Sequence, residues 1–416
     1  MTNPDVIYYP REAILEASNR FETPFFFYKE ERLRENCRTF KKAFEKYFPH
    51  FWPLFAVKAN ANPDIIRIIT SEGFGLDCSS PSEAYLSKKL GIQGMYTGNY
   101  TSKEEFAEVR NKGMILNVDD ISMLPDLAAL GMPEELSFRV NPGISEGGMI
   151  SLVVAGPNAK FGVPFEQAPE AYQKAQKFGV KRFGIHMMTG SNIPVSKKEY
   201  FGKIVERLFE IIYNIKQKTG IEIEFMNIGG GFGVPYRPEE ESLDMDKIAK
   251  SVRAAFDKQC KAYGLKEPRL MAEPGRWIAA DAGWLVTKVC VIKDSYKKFI
   301  GVDASANDMP RPSIYGAYHH VSVLNSSDKT EIVSVVGRIC ENNDQFAVDR
   351  IMPVCQIGDI LVIHNCGAHA YSMGHNYNGR LRHAEYLLTC TGEFQQIRRA
   401  ETLDDLFQTT NLNRNA

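Results

Sequence analysis

The sequence has little surplus charge, no long apolar run and no paired cysteines, and each lack removes a class of protein. Fifty Lys+Arg stand against 51 Asp+Glu, a net charge of -1 over 416 residues. Nucleic acid and anionic membrane surfaces call for a basic patch or stripe, so neither is an expected partner. No stretch reaches the ~18 apolar residues of a membrane span, and the best, Trp284 to Ile292, is broken by Lys288. The N-terminal MTNPDVIYYPREAILEAS lacks a basic region followed by an apolar one, so no signal peptide is expected. Eight cysteines, at 37, 78, 260, 290, 340, 355, 366 and 390, are too dilute for a disulfide framework and form no CxxC pair. The expectation is a reduced, cytoplasmic chain.

What is present suffices for a large core. Aromatics are 11% and hydrophobic residues 44%, which excludes a disordered chain. At about 150 residues per domain, the length allows two or three domains, or one large barrel with an addition. Between residues 31 and 276, short apolar runs ending in Gly, Asn, Asp or Ser alternate with segments of helical spacing. Leu33, Cys37, Phe40 and Phe44 share one helix face, and Asn62-Pro63-Asp64 opens another helix with Pro at its first position. The strand candidates are PLFAVKAN, GFGLDC, GMYTG, MILNVD, ELSFRVN, FGIHMM, EFMNIG and RLMAE. Eight strands alternating with helices over this length predict an α/β (β/α)8 TIM barrel. A doubly wound sheet usually has fewer strands and its glycine-rich turn after the first; here the glycine run follows the seventh. Beyond residue 280, strands separated by turns predict a C-terminal β-sandwich or barrel-like domain. The expected division is a barrel over 31–279, and a β domain from 1–30, with a helix and the strand FFFY, plus 280–416. Only the tail NLNRNA reads as disordered.

Active sites of such barrels lie at the C-terminal ends of the strands. Those positions hold Lys58, Asp77, Asn99, Arg139, Asn141, His186 to Ser191, Gly229-Gly230-Gly231 and Glu273 to Arg276. A lysine inside the apolar run FAVKAN needs a partner or a chemical role, and Schiff-base formation is one. A strand-end lysine paired with a carboxylate is the plain alternative. NIGGGFG offers consecutive backbone N–H groups that suit a phosphate, although such turns often serve packing alone. An amine, a phosphate cradle and an acid at Glu273 for a ring nitrogen together suggest pyridoxal 5'-phosphate.

FAVKAN, GIHMMTGSN, NIGGGFG, EPGR, NDMPRPSIYGAYHH, CENND and SMGHNYNGR, in this order, resemble the alanine-racemase-fold (fold type III) pyridoxal-phosphate decarboxylases, and within them the diaminopimelate decarboxylases. The likeness covers essentially the whole chain. It implies decarboxylation of meso-diaminopimelate to L-lysine and CO2. Lys58 then resembles the Schiff-base lysine. Asp77, His186, Met188, Ser191, Gly229, Gly230, Gly231, Glu273, Gly275, Arg276, His369 and Tyr371 fall at cofactor-binding positions. Arg276, Arg311 and Tyr315 match residues that hold the distal carboxylate, and Glu341 the one that pairs with the distal ammonium. Cys340 matches the proton donor to the carbanion. The family completes each site with the last two from a second chain, which implies a homodimer.

Several positions depart from the family. Met188 stands where a histidine usually stacks on the cofactor ring, and His369 where the tyrosine of a GAY motif stands. Tyr371, two residues on, shares the face of residue 369 if that segment is extended. Arg338 replaces a proline, His375 a serine, and VVAGPNAKFGV lacks the usual Thr-Gly start and the Ser before Lys160. A paralogue acting on another diamino or amino-dicarboxylic acid, or a racemase using Tyr371, remains open; the Cys340–Glu341 pair favours decarboxylation. A cofactor-binding homeostasis protein would resemble the barrel alone. A zinc site from Cys366, His369 and His375 fits no closed spacing, so no metal is expected. Cys340, taken by itself, reads as a buried strand cysteine, and His319-His320 as a strand edge.

Overall fold

Asn62 opens a helix as the sequence predicts: its Oδ1 accepts the Asp64 N–H at 3.0 Å and Pro63 takes the first helical position. There the missing N–H costs nothing. The helix Glu30–Glu45 buries Leu33, Cys37, Phe40 and Phe44 completely, the face set by their spacing. This computed structural model describes residues 7–143, 154–197, 199–324 and 328–412. Val153, at the head of VVAGPNAKFGV, and residues 413–416 of the polar tail lie outside them.

The described residues fall into two compact units. The first lies within Glu35–Val234 and Glu241–Ile278 and is a closed parallel barrel. Its strands are β1 Trp52–Ala56, β2 Gly75–Cys78, β3 Gly94–Tyr96, β4 Met114–Val118, β5 Glu135–Asn141, β6 Arg182–His186, β7 Phe225–Asn227 and β8 Arg269–Ala272. Each pairs with its neighbours in sequence, and β8 pairs with β1 to close the ring. Helices follow the strands, as right-handed β–α crossovers require. Near the N-terminal mouth, Leu54, Met95, Phe225 and Met271 fill the interior, so the barrel is a packed core and not a pore.

The second unit lies within Met1–Arg34, Pro235–Glu240 and Ala279–Ala416 and is mainly sheet. Its centre is the fully buried strand FFFY, in Phe25–Lys29, set between Gly283–Asp294 (antiparallel) and Glu385–Leu388 (parallel). Four successive aromatic residues suit a strand buried on both faces. The N-terminal helix Arg11–Arg20 packs Ile14 and Ala17 onto Phe25, Phe27, Trp284 and Val286. The hexapeptide Pro235–Glu240, inside the stretch that sequence reasoning gives to the barrel, clusters with this unit.

Candidate active site

The eight strand ends of the barrel converge on one group of charges. Lys58 lies just past β1, in the turn Val57–Ala59, and not on the strand as expected. Val57 and Ala59 on either side are buried, whereas half of the Lys58 side chain (49%) is open. Its Nζ stands 3.4 Å from Asp77 Oδ2, at the end of β2. Asp77 is fully buried and its Oδ1 has no hydrogen-bond partner. The recess desolvates the Lys58 ammonium and pulls its pKa down, but the Asp77 and Glu273 carboxylates more than offset this, and the net shift is upward.

Glu273, just past β8, is 4% exposed. Its Oε1 accepts from Asn227 Nδ2 at 2.7 Å and lies 3.2 Å from His186 Nε2. Asn227 turns its Oδ1 to the Gly229 N–H at 2.9 Å, so one amide links the acid to the glycine run. Burial raises the Glu273 pKa, but His186, Lys58 and the Asn227 hydrogen bond overturn it and hold the carboxyl at about 2. Asp77 shifts upward, driven by burial and then by the Glu273 charge. Two buried carboxylates near one lysine are thus driven apart in acidity.

Glycine is required along the run. A Cβ on Gly230 would stand 2.6 Å from the Glu273 carbonyl oxygen, and one on Gly231 2.7 Å from that of Gly190. Backbone therefore approaches closely on both sides. The Gly230 N–H points at Met188 Sδ, 3.2 Å away. Arg276 Nη2 lies 3.5 Å from Ser191 Oγ, and Gly275 is buried against Ala56 and Ala59. Arg139 donates to Asn99 Oδ1 at 3.2 Å and to the Val154 carbonyl at 3.1 Å. The barrel thus gathers Lys58, Asp77, His186, Met188, Ser191, the three glycines, Glu273, Gly275 and Arg276 at its strand ends.

An amine beside an acid with an unpartnered buried oxygen, a second buried carboxylate held ionised, and a close backbone cradle form a donor set. It matches an aldehyde-bearing heterocyclic phosphate. The three functions of pyridoxal 5'-phosphate each find a counterpart.

The remaining six candidates lie in the sheet unit. Arg311 opens the short helix Arg311–Tyr315 and is 7% exposed. Its Nη1 donates to Tyr236 Oη at 2.7 Å and to His319 Nε2 at 2.8 Å, while His319 Nδ1 lies 2.8 Å from the His364 carbonyl oxygen. That carbonyl is an acceptor only, so the proton is on Nδ1 and Nε2 receives the guanidinium. Tyr236 and His319 thus orient Arg311. Sequence reasoning missed the first and placed the second at a strand edge; it is fully buried, two residues before the strand Val321–Val323. Tyr315, half-buried, closes the same helix.

Cys340 is exposed in the loop between strands Thr330–Val336 and Gln345–Pro353. The buried strand cysteine expected from the residue type alone is not found. Its N–H donates to Asn378 Oδ1 at 2.6 Å, and Glu341 Oε1 accepts the Asn343 N–H at 3.2 Å. The segment holding His369 and Tyr371 is not extended. His369 has a left-handed φ of 56° and Tyr371 begins the 3-10 turn Tyr371–Met373. Tyr371 therefore does not share the face of residue 369. Its ring lies under Arg382, 4.0 Å to the centroid, and edge-on to Phe26.

The family described as "Pyridoxal-dependent decarboxylase, pyridoxal binding domain" matches residues 30–280. A diaminopimelate decarboxylase of Methanothermobacter thermautotrophicus is 40% identical over 405 residues, 96% of this chain and 94% of the relative. Protein TabA of Pseudomonas amygdali pv. tabaci is 38% identical over 398 residues, 94% and 91% of the two chains. The crystal structure of diaminopimelate decarboxylase from M. jannaschii in complex with L-lysine has a TM-score of 0.87 at 31% identity. It covers 95% of this chain and 93% of that one.

Proposed function

The chain belongs to the pyridoxal-dependent decarboxylases, and within them to the diaminopimelate decarboxylases, and from that membership we propose that it converts meso-diaminopimelate to L-lysine and CO2 at the barrel's C-terminal strand ends. It is a carboxy-lyase. The observation that carries the site is Lys58 Nζ, 3.4 Å from a buried carboxylate at the mouth of the barrel.

Pyridoxal 5'-phosphate, when bound, supplies an electron sink for the pair released at the α-carbon as CO2 leaves. Lys58 would hold its aldehyde carbon, the Gly230 and Gly231 amides with Ser191 its phosphate, and Glu273 its ring nitrogen. Asp77 keeps the lysine charged and positioned before loading. His186 and Asn227 keep Glu273 ionised. Met188 offers a thioether in place of a ring, a soft surface with no proton to exchange.

Arg311, aimed by Tyr236 and His319, and Tyr315 take the distal carboxylate, for which a planar guanidinium fork is suited. Glu341 takes the distal ammonium, and Cys340 delivers the proton to the α-carbon. An exposed loop position suits residues that serve a neighbouring protomer, so a cytoplasmic homodimer with shared sites is part of the proposal. Among the described residues no helix is long and apolar enough to cross a membrane.

The deciding experiment is a substrate panel with CO2 detection: meso-diaminopimelate, its stereoisomers, ornithine, lysine and arginine. Release from meso-diaminopimelate far above the others is expected. Preference for another diamino or amino-dicarboxylic acid would favour the paralogue reading, which Met188 against the Gly230 N–H and the TabA likeness keep alive.

Arg311→Lys loses the fork and should raise KM for meso-diaminopimelate about tenfold or more. Inhibition by 1,5-diaminopentane, which lacks the distal carboxylate, should barely change; an equal effect on both removes the clamp. Cys340→Ala should lower kcat about 10²-fold, the low end for loss of a positioned proton donor. The cofactor band and substrate binding should stay intact; unchanged turnover would take the role from Cys340.

A further inference from the structure

The loop after strand Ile360–Ile363 presents a histidine whose proton position is fixed by its neighbours. A cavity of about 370 Å³ within the sheet unit is walled by Ser313, Ile314, Ile339, Glu341, His375 and Tyr377. The hydrogen bond from the Cys340 N–H to Asn378 Oδ1 ties this loop to the Cys340–Glu341 loop.

His375 Nδ1 lies 3.1 Å from Asn307 Nδ2 and 3.3 Å from the Tyr377 backbone nitrogen. The orientation of the Asn307 amide is settled by its surroundings. Its Nδ2 also lies 3.0 Å from the carbonyl oxygens of both His375 and Tyr377, while its Oδ1 accepts the Ser305 hydroxyl at 2.7 Å. Asn307 is 1% exposed, so no water replaces these partners. Amide nitrogen and backbone N–H are donors only. The two carbonyls take the two Asn307 amide hydrogens, and the Tyr377 N–H points at Nδ1, which is therefore the acceptor, and the imidazole proton sits on Nε2. Nδ1 is turned back onto Asn307, which leaves Nε2–H as the donor that His375 brings to the cavity wall. No hydrogen bond among the described residues uses that group.

The cavity thus combines a carboxylate with a neutral donor. A neutral N–H neither repels an ammonium nor cancels the Glu341 charge. The pair suits a group that carries a cation and an oxygen acceptor on one carbon. We propose that His375 is a specificity-determining residue, its Nε2–H donating to an oxygen of the substrate's distal carboxylate while Glu341 pairs with the neighbouring ammonium. This role rests on the assignment of Glu341 made above. A carboxylate accepts about four hydrogen bonds, so the donor adds to the arginine clamp and does not displace it. An end with an ammonium alone gains nothing from His375, and the residue discriminates by that difference.

The test uses two isosteric halves of the imidazole. His375→Asn keeps a polar atom near the Nδ1 position and removes the cavity donor. His375→Gln places an amide N–H near the Nε2 position. In the loaded enzyme, His375→Asn should raise KM for meso-diaminopimelate about tenfold, the effect of one hydrogen bond to a charged group. Its kcat should stay within about twofold, and its cofactor band and inhibition by 1,5-diaminopentane, which carries an ammonium alone at the distal end, should not change. His375→Gln should recover most of the KM. An unchanged KM in His375→Asn, or an equal loss of inhibition by 1,5-diaminopentane, overturns the proposal. Glu341→Gln separates the two layers. If it weakens both ligands while His375→Asn weakens neither, the Glu341 assignment stands and the His375 role falls. If Glu341→Gln weakens neither, both fall. Should His375→Asn lose the cofactor band through misfolding, His375→Gln decides: KM near wild type supports the donor role, and a tenfold rise overturns it.

Discussion

Lys58→Ala, prepared with excess pyridoxal 5'-phosphate, should be colourless and release no CO2 from meso-diaminopimelate above background, while the wild type shows a visible absorption band. No other amine can replace it, because the carboxylates that retain and position this ammonium are fixed by strands. Asp77 is fully buried at the end of β2 and Glu273 is 4% exposed after β8. The loss should be of chemistry and not of fold. Half of the Lys58 side chain is open, so its truncation creates no closed cavity, and Val57 and Ala59 keep their packing. Circular dichroism and the melting temperature should stay near those of the wild-type apoprotein. A wild type that remains colourless under the same loading would end the assignment of Lys58. A coloured Lys58→Ala would move it to another lysine.

That lysine was legible in the sequence because its anomaly is local: one charge in FAVKAN among residues the fold buries. The glycine run and the Asn62-Pro63 helix start were legible for the same reason, since three or four adjacent residues carry the signal. The eight strands were legible by period. Asn227, Tyr236 and His319 were not. Asn227 and Tyr236 act by reaching side chains 46 and 75 residues away, Glu273 and Arg311, and His319 reaches Arg311 eight residues back across an irregular turn; no periodic pattern reports such pairings. Tyr371 shows the opposite failure. The two-residue spacing from His369 implies a shared face only on an extended backbone, and a left-handed φ of 56° at His369 breaks that premise. A non-glycine residue in this region is uncommon, and the sequence GAHAYS gives no sign of it. The loop position of Cys340 was likewise invisible from residue type, since free cysteine is usually core.

Glu273→Gln should lower kcat about 10²–10³-fold, the range for loss of one preorganised charge partner, with the cofactor still loaded. Glutamine keeps the shape and still accepts from Asn227, but it offers a neutral amide where the barrel holds a carboxylate. The apoprotein gives a second readout, independent of turnover. The Glu273 carboxyl sits at about 2 in the fold, against about 4.3 for an unperturbed glutamate. A lowered value means that the folded state prefers the charged form. Its contribution to stability is therefore complete above pH ~4.3 and is lost as pH falls toward 2. The glutamine variant has no such term. The melting-temperature difference between wild type and Glu273→Gln should thus be largest near neutrality and shrink as pH drops from about 5 to 3. Asp77 has the opposite sign. Its raised pKa stabilises the fold most below its own unperturbed value and is lost as pH rises, so Asp77→Asn should not reproduce the trend. A difference that stays constant with pH would mean that Glu273 is not held as an anion, and its pairing with a protonated ring nitrogen would lose its physical basis.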